Sequence, residues 1–390
     1  MVHMYLFLFV SLINPEGNKV KNILKQSIEA IKDIESIEYT TYNQSSPAFD
    51  TTIFVRSYYE KTRAIRNSED TLNAFSLTKA YEDTTEIQFA YDGIFKVDLF
   101  PGKKHARVIN YLKEPEKRKA SSYAPFFVTT RTIFEMALTS SEVETKIISE
   151  SSESYKIEFF YPNNRYEFSG TQIEKQGRRG YSSSRYIITI NKEDFIPLIY
   201  DRMQEHQKTK TTLVNYRIND TNIRVEKPLA IIPDDYSISN KRSVSSFDKN
   251  KYLNKKVPDW VLSDINGRKI RLSDYFGSIV LLEFTSLGCG PCHAIIPTLK
   301  KMQEDFNERD FQIISLESFL LNGKIETFRK YAEKKDLNYP FLVGSNEVID
   351  DYDVRGVPHF LLIDRKGIVR EVIFGSNNIE KVRQAVSELL

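Results

Sequence analysis

The chain has 390 residues, 41% of them apolar and 28% charged, which is room and material for two domains with real cores. Its 55 Lys and Arg against 53 Asp and Glu leave a formal charge of +2, so nucleic acid is not expected as a partner. Two cysteines cannot staple a chain this long, and stability has to come from packing.

Residues 4–13, MYLFLFVSLI, are an apolar run too short to span a bilayer and of the length of a signal-peptide core. No Lys or Arg precedes the run, and Asn14-Pro15-Glu16-Gly17 follows it. Residues 1–16 therefore read as an atypical signal segment, with a short core strand as the alternative. Val20, Ile23, Leu24, Ile28, Ile31 and Ile34 recur at helical spacing and predict a helix over Asn18–Glu35. The period then changes to two: Ile37, Tyr39 and Thr41 alternate with polar residues, and Ile87, Phe89 and Tyr91 run into Asp92-Gly93. Pro101-Gly102 turns the chain again. Pro125–Leu138 predicts a helix interrupting a meander that resumes at KIISE, YKIEFFY, RYIITI, IPLIYDRM and TKTTLVNYRI. The basic loop Lys175–Gly180 reads as a solvated hairpin turn. Residues 17–235 are thus expected to form an α+β domain on one long antiparallel sheet. Residues 236–254, rich in Ser, Asn, Lys and Asp, read as a linker.

From residue 255 the pattern alternates strand and helix. Ser278–Phe284 is a near-continuous apolar run, as a strand buried on both faces should be. Phe311–Glu317 is a second, and helical spacing follows each of them. Between Phe284 and the first helix lies Gly288-Cys289-Gly290-Pro291-Cys292-His293, which holds both cysteines of the chain. Three chemistries use such a pair: a redox dithiol, a metal site, and haem attachment through C-x-x-C-H. Pro291 suits the first turn of a helix. Cys289 then sits at the helix N-terminus, where free N–H groups and the dipole favour a thiolate and lower its pKa below about 8.5. Cys292, one turn in, is the expected resolving thiol. His293 is expected on the exposed face of that helix. His359 is the one further residue that would join the cysteines around zinc or copper, but strand alternation turns it away from Pro358. No nucleotide, Walker or flavin motif is present, so electrons are expected to come from or go to another protein.

Residues 255–390 resemble the TlpA/ResA-like thiol–disulfide oxidoreductases of the thioredoxin superfamily. The resemblance rests on VPDWVLSDINGRKIRLSDYFGSIVLLEF, on CGPC and on GVPHFLLID. It implies an α/β thioredoxin fold, Cys289 as nucleophile, Cys292 as resolving thiol and Pro358 as a cis-proline against which a substrate backbone docks. It also implies a periplasmic or otherwise extracytoplasmic setting, protein thiol or disulfide substrates and a membrane-bound protein as electron donor. No cofactor is implied beyond the Cys289–Cys292 disulfide. The Gly-Pro dipeptide is that of reducing thioredoxins, so a reductase is expected. The sequence departs from the family at Gly288 and Thr285, where Trp is usual, and at Ile295, where some relatives carry Glu. Glu283 occupies the place of the buried acid of cytosolic thioredoxins and is the expected proton acceptor for Cys292. Ser286 stands where peroxiredoxins carry Thr, which argues against peroxidase chemistry. The sheet domain resembles, faintly, the half-barrels of LolA-like lipoprotein carriers. The alternative function is therefore a lipid- or peptide-binding carrier with a regulatory thioredoxin domain.

Overall fold

A computed structural model of the chain describes residues 15–47, 56–70, 72, 75–81, 86–117, 124–176, 183–203, 207–240, 251–306 and 310–390. The apolar run 4–13, residues 177–180 of the basic loop and residues 241–250 of the expected linker lie outside them. The chain divides into two compact units, one drawn from residues before 241 and the other chiefly from 241–390.

The first unit is built on a twelve-stranded sheet. From one edge to the other its strands are Ser237–Ser239, His105–Asn110, Phe95–Phe100, Phe89–Tyr91, Phe75–Tyr81, Arg56–Arg66, Ser36–Pro47, Gln207–Ile218, Pro197–Met203, Ser184–Asn191, Ser154–Tyr161 and Glu144–Glu150. Neighbours in space are mostly neighbours in sequence, as short turns dictate. At one of these turns Asp92 Oδ1 accepts the N–H groups of Ile94 (2.9 Å) and Phe95 (2.7 Å), and Gly93 takes a φ of +90° that side chains resist. The long strands Ser36–Pro47 and Gln207–Ile218 meet in the middle of the sheet.

The helix expected over Asn18–Glu35 occupies Pro15–Lys32. Proline is tolerated in a first turn because its missing N–H has no partner there. The last turn loosens into a bond from Ile34 N–H to the Ile31 carbonyl (3.3 Å). Its apolar stripe, with Val20, Ile23, Leu24 and Ile28, packs in one core with the second helix, Phe126–Thr139. The Phe127 ring stands edge-on to Tyr39 (5.9 Å) and Phe75 (5.4 Å). Phe75, Phe127, Phe134, Phe159 and Tyr186 are fully buried, and each such side chain stabilises the fold by about 1.5–3 kcal/mol. One buried ion pair, Lys79 Nζ to Glu60 Oε1 at 2.9 Å, runs between adjacent strands.

The expected linker 236–254 is shorter than its composition suggests. Ser237–Ser239 pairs in parallel with His105–Asn110, Ile238 opposite Ala106. The pairing satisfies backbone groups of what would otherwise be an open sheet edge, and backbone pairing leaves no side-chain periodicity to read. Further on, Tyr252 is buried in the second unit, its hydroxyl donating to the Asp351 carbonyl.

The second unit holds a five-stranded sheet in the order Phe341–Val343, Phe311–Glu317, Ile279–Thr285, His359–Ile363, Val369–Phe374. The first three run parallel and the last two antiparallel to their neighbours. Every residue of the central strand Ile279–Thr285 is buried, because both faces are covered. On one face Ile279 and Leu281 meet Leu299 and Met302 of helix Gly290–Phe306 and Val382 of helix Ile379–Leu389. On the other face Val280, Leu282 and Phe284 meet Trp260, Leu272 and Tyr352. A hairpin that turns at Asn266-Gly267 joins Val261–Ser263 to Lys269–Arg271. Among the described residues no helix is long and apolar enough to cross a membrane.

Candidate active site

The central strand ends at Thr285, and the active-site helix begins at Gly290 after a four-residue turn. A tight turn makes the change of direction: Cys289 N–H donates to the Ser286 carbonyl (2.9 Å). The first helical bond runs from His293 N–H to the Cys289 carbonyl (3.1 Å), so Cys289 is the N-cap. Pro291 falls in the first turn, where its missing N–H costs nothing.

The N-cap position explains the chemistry. An N-cap side chain normally offers an oxygen to the N–H three residues on. Here the acceptor is sulfur: Cys292 N–H points at Cys289 Sγ from 3.1 Å. A thiolate at that atom gains this hydrogen bond and the positive end of the helix dipole together, both of which lower a thiol pKa. Cys289 and Cys292 are joined in a disulfide, their Cα atoms 5.2 Å apart. Cys292 is 1% exposed and Cys289 only partly covered, so an incoming thiol reaches the pair at Cys289. The Val357 carbonyl oxygen lies 3.7 Å from Cys289 Sγ, and the Val357–Pro358 peptide bond is cis.

Glu283 lies on the central strand, six residues before Cys289 and 2% exposed. Its carboxyl accepts a hydrogen bond from Ser315 Oγ on the adjacent strand and another from the Thr285 hydroxyl. Burial outweighs these bonds and pushes its pKa up to about 7. A carboxyl titrating there exchanges protons readily at neutral pH.

His293 is not on an exposed face. It is 8% exposed, with Nε2–H donating to the Leu287 carbonyl (2.9 Å) and the ring 5.4 Å from that of Tyr331. Tyr331 belongs to helix Ile325–Lys335, which covers this side of the active-site helix through Leu287, Ile296 and Phe328. His359 is fully buried between the rings of Phe284 (5.5 Å) and Phe374 (4.1 Å), and burial depresses its pKa to about 3. Among the described residues no three His, Cys, Asp or Glu side chains gather to hold a metal ion.

The sequence reading passed over Glu317. This residue ends the strand Phe311–Glu317, is fully buried, and has its pKa raised by burial. Oε2 accepts Leu287 N–H at 2.7 Å, while Oε1 accepts the N–H groups of Phe319 (3.0 Å) and Leu320 (2.9 Å). With His293 holding the Leu287 carbonyl, both backbone groups of that residue are fixed two positions before Cys289. The signal was the one charge in FQIISLE, at the end of a strand that has to be buried.

A dithiol capping the helix that follows a central strand, faced by the strand after a cis-proline, defines a thioredoxin-fold thiol–disulfide exchange site. The comparisons narrow this class. The AhpC/TSA family model matches residues 253–372. The thiol-disulfide oxidoreductase ResA of Geobacillus thermodenitrificans is 30% identical over 134 residues, which span 34% of this chain and 75% of that protein. A ResA of Bacillus cereus is 31% identical over 137 residues, 35% of this chain and 78% of that protein. The thioredoxin domain of a thiol-disulfide oxidoreductase from Bacteroides vulgatus is 23% identical with a TM-score of 0.31, covering 34% of this chain and 97% of that one. The chain belongs to the ResA-like thiol-disulfide oxidoreductases of the thioredoxin superfamily. These likenesses take in about a third of it.

Proposed function

We propose that this protein is an extracytoplasmic reductase that passes two electrons from Cys289 and Cys292 to protein disulfides. The observation that carries the reading is the N-cap geometry, with Cys292 N–H 3.1 Å from the more accessible sulfur of the pair. In the reduced protein the Cys289 thiolate attacks one sulfur of a target disulfide. The target S–S bond breaks, its second sulfur leaves as thiolate, and a mixed disulfide joins Cys289 to the target. Cys292 then gives its proton to the Glu283 carboxylate and attacks Cys289 Sγ. The mixed disulfide breaks, the target's remaining sulfur leaves as thiolate, and the Cys289–Cys292 disulfide forms. The target gains two electrons and the pair loses two. A protein dithiol, which we place at the membrane, restores the pair. No cofactor takes part.

An extracytoplasmic setting is supported by the apolar run 4–13 and by a cysteine content limited to the active pair, which leaves no other thiol to scramble with it. The carrier reading is not favoured: aromatic side chains fill the core between the helices and the sheet of the first unit. Pro358, buried beside the nucleophile, is assigned to the strand on which a substrate backbone docks. Reacting each single-cysteine variant with insulin tests the order of events. Cys292→Ser should accumulate a covalent insulin adduct that dithiothreitol releases, and Cys289→Ser should form none. Adducts through Cys292 alone would overturn the assignment.

A further inference from the structure

The carboxylate of Glu317 serves two loops at once. One is the turn 286–289 that carries the nucleophile, held through Leu287 N–H and through the Ser286 hydroxyl. The other is the loop after the strand Phe311–Glu317, held through Phe319 N–H and Leu320 N–H. A further bond ties the same loops, from Ser318 N–H to the Thr285 carbonyl (2.9 Å). Backbone atoms of residues 287 and 319 therefore lie within hydrogen-bond reach of one carboxylate.

The two residues that follow Ser318 are used in opposite ways. Leu320 packs inward against the cluster of Leu287, Ile296 and Phe328. Phe319 points outward and is 51% exposed. Holding a large aromatic in water gives up hydrophobic stabilisation that an inward position would supply. Gly288 contributes no side chain next to Cys289, which is itself only partly covered. An exposed ring on a backbone fixed in this way keeps its place while its face stays free, as a docking aromatic requires.

The geometry points to Phe319 as a substrate-contacting residue that favours protein disulfides flanked by a bulky apolar side chain, with Glu317 as the residue that positions it. The inference rests on Cys289 being the attacking thiol. The test follows oxidation of the reduced full chain by two short peptides that differ only at the residues flanking their disulfide, Leu in one and Ser in the other. Wild type should react about tenfold faster with the Leu peptide, a preference of the size one apolar contact supplies. In Phe319→Ala the ratio of the two rates should fall close to one. Glu317→Gln places an amide where two sets of N–H groups need acceptors, and should also lower the ratio, with melting curves confirming that the variant is folded. A wild-type ratio near one, or an unchanged ratio in Phe319→Ala, overturns the inference and leaves the dithiol mechanism standing. Wild type inert towards both peptides and towards glutathione disulfide overturns the inference and the dithiol mechanism together.

Discussion

The two units of this protein partner their buried glutamates in different ways. In the sheet unit Glu60 is buried against Lys79 at 2.9 Å, and Glu167 lies 2.6 Å from both Arg165 and Arg202. In the thioredoxin-fold unit Glu283 is buried with two hydroxyls, and Glu317 with backbone N–H groups and one hydroxyl. For Glu283 and Glu317 burial outweighs these hydrogen bonds and leaves the carboxyl with a raised pKa. The first arrangement makes structure, and the second makes a group able to exchange protons.

Four measurements can break or sharpen this contrast. The largest effect is expected at the nucleophile: Cys289→Ser should lower disulfide exchange by more than about 10³-fold, and any smaller loss would mean another entry point. In the sheet unit, Lys79→Ala leaves the Glu60 carboxylate without its cation and should cost about 3–5 kcal/mol in denaturant titrations. The exchange rate of the folded variant should match wild type. A cost below about 1 kcal/mol would show that the pair is no more than a surface bridge.

Glu283→Gln tests the other half. The folded carboxyl titrates near 7 and the unfolded one near 4.5, so the folded state holds the extra proton between these values. Wild type therefore loses stability as pH rises through that window, by on the order of 3 kcal/mol, and the Gln variant does not. Its advantage should be absent at pH 4 and complete by pH 8. Resolution of the mixed disulfide should slow by about 10²-fold in the same variant. A rate–pH profile identical to wild type would remove Glu283 from the mechanism. The smallest effect is at His359, whose pKa near 3 keeps it neutral. Its ring resonances should stay fixed from pH 5 to 9, and an inflection near 6.5 would contradict the buried, ring-stacked environment.

The thioredoxin-fold unit was the more legible in sequence because its strands are short, largely apolar runs whose neighbours carry motif residues. Cys289 and Cys292 could be placed at a strand-to-helix junction from the letters, and Pro358 through the family resemblance. Glu283 was singled out only through its resemblance to the buried acid of cytosolic thioredoxins, and the structure buries it. His293 could not be placed: whether the fourth residue of a helix is covered depends on Tyr331, 38 positions further on. Glu317 was lost for the same reason, because its donors Leu287 and Phe319 lie in loops that no periodicity aligns. In the sheet unit, alternation revealed strands but not their partners. The meeting of Ser36–Pro47 with Gln207–Ile218 and the edge strand Ser237–Ser239 follow from backbone pairing, which leaves no mark on residue choice.

The direction of electron flow is the central claim, and the reduction potential of the Cys289–Cys292 pair tests it most directly. Equilibrating the full chain in defined thiol buffers and counting alkylated cysteines gives the value. The account predicts a potential at or below about −250 mV, in the range of reducing thioredoxins. A potential between about −120 and −180 mV would make the pair an oxidant or isomerase and reverse the proposed flow.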